Sequence, residues 1–316
     1  MGQTVITLQQ KYVATLNASS GNRIRLENRY KDSLVRSLTP MYSLLSRLLV
    51  EDNFLAPIAR QANLAKRVRY NRTELKEASR QATAFMTGYQ IQLSRSSAAN
   101  NTRSTIRNFN YSIYSFGAVT AARGLGFEVK SNVVDALLAA KADPVKFELT
   151  DQEIIAQLEG RVTRFGRDLS AEVIEDARDI IRDEMFLGDS GIDDVARAIA
   201  ASHRLKDWRG LKIARTETQE AFQSAQYEMY RRSGVPRHTW FTVGDDRVRP
   251  EHNDNDGVEV EIGKEFPSGQ LHPGDNTGGL AVNCRCSAIP DLSNIGILLE
   301  PWDGSGFMDF RHSKIR

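Results

Sequence analysis

The chain has 316 residues, of which 41% are hydrophobic and 26% are charged, and its formal net charge is +2. This composition is typical of a soluble globular protein with one large domain or two ordinary ones. No apolar run reaches the roughly 18 residues of a membrane span, and the first residues, MGQTVITLQQKY, lack the basic start and apolar core of a signal peptide. We therefore expect a protein of the cytoplasm, without membrane contact and without a disulfide framework.

The charge is unevenly distributed along the chain. Residues 1–130 contain 19 Lys and Arg against 7 Asp and Glu, a net charge of +12, whereas residues 131–316 carry a net charge of −10. Such asymmetry indicates two regions with different partners. The basic half is interpreted either as a surface for duplex DNA or an acidic protein, or simply as a solvated helical face.

The first region, residues 1–130, is predicted to be a basic and mainly helical arm or domain. Apolar residues at spacings of three and four predict a helix: Leu34, Leu38, Met41, Leu44, Leu45 and Leu48. Pro40 is expected to kink this helix or to begin a new one. A second long helix is predicted over residues 64–93, and the polar, aperiodic residues 94–105 predict a linker or mobile loop.

Residues 131–234 are predicted to form a bundle of short helices. Thr150 and Glu153 have the spacing of a capping box, and Ser170 is expected to cap a further helix. Residues 190–202 predict a short helix, and residues 208–234 a longer one. Three glycines are predicted to end helices: Gly160, Gly188 and Gly234.

Residues 235–290 predict a small module rich in strands and loops. The segment that follows His238 is β-rich, and GVEVEIGKEF alternates apolar and charged residues like a half-exposed strand. AVNCRCSAIP, residues 281–290, predicts a further short strand that carries both cysteines. The fold class is thus predicted as α+β, with a tail at residues 291–316 to which no structure is assigned.

Both cysteines of the chain lie two positions apart, at Cys284 and Cys286, close to His252 and His272. Residues two apart on a strand point to one face, so the two sulfurs converge. Zinc binds thiolate and imidazole in a tetrahedron, and the pattern H-x19-H-x11-C-x-C supplies four such ligands. The sequence predicts a Cys2His2 zinc site; the alternative is a pair of small buried thiols beside surface histidines.

The other polar residues do not match a common enzyme motif. Residues 245–252 form a dense charged cluster, which is either a catalytic patch or a set of ion pairs. Arg215 and Glu217 lie near a helix start, where a separation of two residues places them on different faces. No phosphate-binding loop, nucleophile elbow, zinc-protease helix or dinucleotide fingerprint is present in the sequence.

Taken together, IARTET, DDRVRPEHNDNDG and HPGDNTGGLAVNCRC resemble the phage head morphogenesis family, the Mu-like minor head proteins. The resemblance covers about residues 180–290, with one departure in HNDNDG, which is more polar than the family pattern. The residues that it implies as the core motif of the module are Arg215, Glu217, Asp246, Arg247, Arg249, Asp256 and Asn283.

The resemblance implies a virion structural protein and not an enzyme. Such proteins are held inside the capsid near the portal vertex and are in the host cytoplasm during assembly. The implied partners are the phage portal protein, the major capsid or scaffold protein, and packaged duplex DNA bound without sequence preference. The Cys-x-Cys segment would tie the loop-rich module to the helices, through zinc or through buried thiols.

A zinc-dependent hydrolase, a nuclease or a peptidase, is the alternative function. His252, Cys284 and Cys286 would then leave one zinc position for water, and Glu251 or Asp254 would act as the general base. A weaker third possibility is a toxin-like enzyme, because phage head modules are sometimes fused to such domains.

Overall fold

The structure is a computed structural model that describes residues 8–126, 152–202 and 208–292. The chain divides into two compact units. The first unit takes residues 1–31, 108–158 and 211–316, and the second takes residues 32–107 and 159–210. The predicted domain boundaries near residues 130 and 290 lie at or beyond the edges of the described segments, and the predicted division stays a prediction.

Helices dominate the described chain. Their bounds are α1 (Leu8–Glu51), α2 (Leu55–Arg67), α3 (Arg72–Ala82), α4 (Thr87–Arg95), α5 (Ser97–Gly124), α6 (Gln152–Ile181), α7 (Ile192–Ala200), α8 (Trp208–Arg232) and the single turn α9 (Pro250–Asn253). Short 3-10 turns lie at Ala84–Met86 and Thr277–Gly279, and a π-helical segment, Arg182–Leu187, continues α6. None of the described helices is long and apolar enough to cross a membrane.

A small antiparallel sheet follows α8. It contains β1 (Arg237–Phe241), β2 (Glu259–Glu261) and β3 (Ser287–Pro290) in the order β2-β1-β3. Alternate residues of a strand share a face, and in the central strand His238 and Trp240 are the buried pair. The predicted α+β class is confirmed, since helices and this sheet occupy separate parts of the chain.

The strand predicted over residues 281–290 is wrong in its first half. β3 begins only at Ser287, and Cys284 and Cys286 precede it in irregular backbone. Asn283 adopts a φ of 55°, a left-handed conformation that interrupts an extended chain and that asparagine tolerates better than most residues. We call residues 281–286 the Cys loop.

Residues 94–105 are helical except for Ser96, which separates α4 from α5, so the predicted linker or mobile loop is wrong. α5 begins at Ser97, and its small and apolar residues Ala98, Thr102 and Ile106 are buried at spacings of four. The Thr102 hydroxyl donates to the Ala98 carbonyl 3.1 Å away. Polar side chains that bond within the helix and apolar ones that are buried together outweigh the low helix propensity of the segment.

The long helix predicted over residues 64–93 is broken into α2, α3 and α4. Asn71 caps α3: its side chain accepts from the backbone N–H groups of Thr73 and Glu74, and the Glu74 side chain accepts from the Asn71 N–H. This capping box ends one helix and starts the next. Before it, Arg69 has a φ of 62°, which α-helix excludes.

α6 is longer than the sequence predicts, because two expected boundaries lie in its interior. Gly160 does not end a helix, and Ser170 does not cap one: the Ser170 hydroxyl donates to the Gly166 carbonyl one turn earlier, at 3.2 Å. The predicted capping box that starts at Thr150 falls partly outside the described residues. Pro40 likewise lies within α1 without ending it, on an exposed position of the helix.

Two other predicted helix ends agree with the structure. Gly234 has a φ of 68° directly after α8, the left-handed conformation of a helix stop. The π-helical segment ends before Gly188, whose φ of −96° is an ordinary extended value rather than a left-handed one.

The core of the first unit is built where α1, α5 and α8 meet. Tyr12 and Tyr230 contact each other edge to face, with ring centroids 6.0 Å apart and their hydroxyls hydrogen bonded. Gly117 permits the close approach of α5 to α8, because a Cβ placed there would lie 2.5 Å from the Phe222 carbonyl oxygen. α8, which precedes the sheet, is therefore packed on helices that come from the N-terminal part of the chain.

We predict that Gly117→Ala lowers the free energy of unfolding by about 1–3 kcal/mol, because the added methyl group overpacks the helix contact. Gly160→Ala is the matched control: a Cβ at this helical position meets nothing within 4 Å, so alanine is expected to stabilise by up to about 1 kcal/mol. Urea denaturation followed by circular dichroism measures both. Equal midpoints for the two variants would contradict the prediction.

Candidate functional site

The candidate site lies where α9 meets the Cys loop. Pro250 occupies the first turn of α9, where a missing N–H costs nothing, and the turn carries His252 inward. Arg249, directly before α9, donates to the carbonyl oxygens of Leu280 and Val282. This guanidinium therefore attaches the start of the turn to the Cys loop and sets His252 opposite the cysteines.

Three ligand atoms converge at this point. The Nδ1 atom of His252 lies 3.9 Å from the Cys284 sulfur and 3.5 Å from the Cys286 sulfur, and all three atoms lie within 4.8 Å of one another. The side chains are almost completely buried, with exposed fractions of 1–3%. Soft sulfur and imidazole ligands in this number and arrangement can hold zinc.

Trp240 encloses the group from the sheet. Its ring centroid is 5.3 Å from that of His252 and 5.0 Å from that of Phe266, and the tryptophan packs with both cysteines in one apolar cluster. The ring of a fully buried tryptophan excludes water, so the sulfurs lie in a medium of low polarity.

The two thiols have opposite pKa shifts. The pKa of Cys284 is lowered to about 4, chiefly because Cys286 hydrogen bonds to its thiolate, with His252 as a further hydrogen-bond partner. The pKa of Cys286 is raised above its usual range, because Cys284 and burial both oppose a second negative charge. The pair thus releases one proton readily and holds the other.

The structure does not place His272 in this group. The His272 ring lies 5.2 Å from that of Tyr227 on α8, and its Nδ1 atom is 2.9 Å from the Pro273 carbonyl oxygen. Among the described residues, the possible metal-binding group of three or more ligands consists of His252, Cys284 and Cys286.

His238 is a buried histidine that the sequence did not single out as a site residue. Its ring lies 5.5 Å from that of Tyr227 and 4.9 Å from that of Phe266. Neither ring nitrogen has a hydrogen-bond partner within the described chain. Burial, together with the smaller effect of nearby His272, lowers the pKa of His238 to about 4, so His238 is neutral at pH 7.

The Cys loop is attached to α8 by side chains of that helix. Arg215 donates to the Asn283 side-chain oxygen at 2.9 Å, and the Asn283 N–H donates to the Thr216 hydroxyl at 2.8 Å. The Gln219 amide donates to the Cys286 carbonyl oxygen. Arg215 also pairs with Glu27 of α1, 3.5 Å away, which joins α1 to the same network.

The remaining motif residues have separate places. Asp256 accepts from the Thr242 N–H at 2.7 Å and so closes the connection between β1 and β2. Glu217 is buried on α8, whereas Asp246 and Arg247 are exposed. The structure thus brings Arg215 and Asn283 together, with Arg249 on the other side of the Cys loop, but does not gather all seven residues in one site.

Sequence reasoning missed several residues that organise the site. Arg285 is one of them: it makes a two-bond ion pair with Asp245 of the predicted charged cluster, at 2.6 Å for each bond, and this pairing lowers the pKa of Asp245. Glu27, Gln219 and Trp240 were also missed. Only contacts distant in sequence identify them, although an aromatic residue two positions after a buried histidine on a strand was a detectable signal for Trp240.

We predict that Asn283→Ala lowers the free energy of unfolding by about 2–3 kcal/mol, because the charged Arg215 group loses its acceptor. Asn283→Gly is expected to cost about 1 kcal/mol less, since glycine adopts a positive φ without strain. Asn276→Ala, at an exposed loop position, is the control. We call the attachment of the Cys loop to α8 by Arg215, Thr216 and Gln219 the clamp. Urea denaturation measures all three variants, and an Asn283→Ala midpoint equal to that of the control would refute the contribution of the clamp to stability.

Comparison with known proteins agrees with the resemblance found in the sequence. Residues 177–289 match the family model described as phage Mu protein F like protein. No solved structure matches the chain.

Two curated relatives align with this chain over 110 and 101 residues. One is named NAD(+)–arginine ADP-ribosyltransferase EFV, from Enterococcus faecalis V583, and is 32% identical over 110 residues, which are 32% of this chain and 23% of that protein. The other is an uncharacterized protein of Haemophilus influenzae Rd, 29% identical over 101 residues, which are 32% of this chain and 21% of that protein.

The chain therefore spans less than a quarter of the length of either relative. The matched family segment holds α9, Trp240, the Cys loop and the clamp residues of α8. The predicted resemblance to the phage head morphogenesis family is confirmed over this segment, because residues 177–289 match the phage Mu protein F-like family model.

Proposed function

We propose that this chain is a phage head morphogenesis protein and a structural component of the virion. The observation that carries the proposal is the match of residues 177–289 to the phage Mu protein F-like family. The site geometry is compatible with a structural role, because the three converging ligand side chains are buried and offer no open face to a substrate.

The alternative of a zinc hydrolase finds no support in the comparisons. Glu251 and Asp254, the two candidate general bases, are exposed, whereas the sulfurs are buried beneath Trp240. A hydrolytic zinc site needs an open coordination position that a substrate can reach. The activity named for the E. faecalis relative belongs to a protein of which less than a quarter is matched, and it supports no enzymatic role here.

We further propose that the protein works inside the capsid near the portal vertex, with the portal protein as its main partner and the major capsid or scaffold protein as a second. The family resemblance supports this location. The acidic balance of residues 131–316 suits a basic partner surface.

We predict that the protein is found in mature, DNA-filled particles and that tagged portal protein co-purifies with it from induced cells. Mass spectrometry of purified particles, before and after DNA release, measures the first; a pull-down measures the second. Empty particles and an untagged portal are the controls. Absence from both the particles and the pull-down would overturn the virion role.

Contact with packaged DNA is proposed for the α2–α3 arginines, which we define as Arg67, Arg69 and Arg72. All three are exposed, and none of them forms an ion pair or a side-chain hydrogen bond in the described chain. Tyr70, 43% exposed, lies between them. Unpaired guanidinium groups bind phosphate strongly, and an adjacent aromatic side chain is a common companion in nucleic-acid surfaces.

The acidic side chains of α3 are engaged elsewhere, which explains why these three arginines have no ion-pair partner on that helix. The capping box of Asn71 engages Glu74 in the first turn of α3, and Glu77 is engaged by Arg80. The two acidic side chains of α3 are thus already paired. Three cations without a partner among the described residues keep their attraction for an external polyanion.

We predict that Arg67→Gln/Arg69→Gln/Arg72→Gln weakens duplex DNA binding by the full chain and reduces the slope of log K against log salt by about 2–3, since each lost phosphate contact contributes about 0.9. The control is Arg47→Gln/Arg80→Gln/Arg231→Gln, which removes the same charge from arginines paired with glutamates. Fluorescence anisotropy with two unrelated duplexes measures both. Equal losses for the two triple variants, or binding that is independent of salt, would refute the proposed surface.

A further inference from the structure

We infer that His252, Cys284 and Cys286 bind one zinc ion as a three-ligand structural site, with His272 outside it. In a tetrahedral site with Zn–S near 2.3 Å and Zn–N near 2.0–2.1 Å, neighbouring ligand atoms lie about 3.5–3.8 Å apart. The two measured separations between Nδ1 and sulfur are 3.5 and 3.9 Å. Both separations are therefore close to the edge lengths of a zinc tetrahedron, and the third pair of atoms, the two sulfurs, lies within 4.8 Å. This inference does not depend on the proposed function.

The ligand types select among metals. Two thiolates and one imidazole form a soft donor set, which favours zinc over calcium, magnesium or manganese. Among the described residues, the converging group consists of two cysteines and one histidine and contains no carboxylate, so it does not match the oxygen ligands that hard cations prefer. Both thiols must lose their protons on binding, and zinc is able to drive this loss.

A disulfide is the competing use of two neighbouring cysteines. Cys284 and Cys286 are both free thiols, and a bond between residues two apart closes a very small, strained ring. A disulfide would also not account for the position of the His252 Nδ1 atom, which lies 3.5 Å from the Cys286 sulfur. Convergence of the imidazole on both sulfurs is what a metal requires.

The supporting shell holds the ligands before a metal arrives. Arg249 attaches α9 to the Cys loop, and Gln219 holds the Cys286 carbonyl. Such outer contacts fix the direction of ligand side chains and raise metal affinity. The site is therefore preorganised, and binding does not have to pay for ordering the whole loop.

A zinc cross-link would contribute much of the stability of residues 235–290, because these residues contain little regular structure. Its strands have five, three and four residues, and α9 is one turn. A metal that joins α9 to the Cys loop closes a chain segment of more than 30 residues, from His252 to Cys284. Cross-links across long segments stabilise small modules by restricting the unfolded chain.

The fourth position is left to a small ligand such as water. Within the described residues, no further His, Cys, Asp or Glu joins the group, and His272 packs on Tyr227 instead. Burial of the three ligands to 1–3% exposure keeps the position away from large substrates. The site is thus structural in spite of its open fourth position.

Zinc content and a cobalt spectrum of the full chain test the inference. We expect about one zinc per chain after dialysis, and after cobalt exchange a tetrahedral spectrum with sulfur-to-metal charge-transfer bands. Cys286→Ser and His252→Asn are expected to lose the metal and the spectrum. His272→Asn, the matched control, is expected to keep both.

Two results would overturn the inference: wild-type protein that neither retains zinc nor gives a thiolate–cobalt spectrum, or a His272→Asn variant that loses metal as completely as Cys286→Ser. If a ligand variant does not fold, titration of the wild-type thiols with a mercurial tests whether the cysteines hold zinc. Release of zinc in step with the modification of both thiols supports the site, and thiols that react fully with a disulfide reagent without zinc release refute it.

Discussion

The attachment of the Cys loop to α8 is the interaction on which the rest of the module depends. Residues 281–286 are irregular and have no strand partner, yet buried backbone groups must find hydrogen bonds. Thr216 and Gln219 of α8 supply them, to the Asn283 N–H and the Cys286 carbonyl, and Arg215 holds the Asn283 side chain. A hydrogen bond to a charged group contributes about 1.5–3 kcal/mol, so the helix and the loop form one stable unit.

This attachment determines the chemistry of the loop. Since Asn283 is held in a left-handed conformation, the chain turns before Cys284 and presents both sulfurs to one point. Arg249 acts from the other side and brings His252 to the same point. Because Trp240 then excludes water, the interaction between the two thiols is strong, and their pKa values separate. The close approach of the two cysteines to the imidazole therefore depends on the contacts of Thr216 with the Asn283 N–H, of Gln219 with the Cys286 carbonyl and of Arg249 with the Val282 carbonyl.

Local patterns predicted part of this arrangement. The α+β class, the end of α8 at Gly234 and the grouping of His252 with both cysteines followed from spacing and turn chemistry. Two errors were avoidable: Asn71 and Glu74 have the spacing of a capping box, and Ala98, Thr102 and Ile106 have the spacing of a buried helix face.

Other features were beyond any local pattern. The distance of His272 from the sulfurs depends on Tyr227 of α8, and the role of Gln219 depends on a carbonyl 67 positions away. The pairing of Arg285 with Asp245 spans 40 residues. Sequence spacing limits which residues are able to meet, but the rotation of a ring or a carbonyl is decided by tertiary packing.

Besides the cluster around Trp240, which lies within the matched family segment, α8 belongs to a second core that the segment does not complete by itself. Tyr230 on α8 packs on Tyr12 of α1, and Phe222 packs on Phe116 of α5, where Gly117 lets the two backbones approach. The partners from α1 and α5 all precede residue 177, where the family match begins. Glu27, which neutralises the clamp residue Arg215, precedes it as well.

A segment whose apolar face is completed by residues outside it cannot bury that face alone. In this protein, α1 and α5 complete the face, and the same two helices lie in the basic part of the sequence. The first compact unit therefore combines residues 211–289 of the family segment with parts of α1 and α5, and the limits of the sequence match are not limits of the fold.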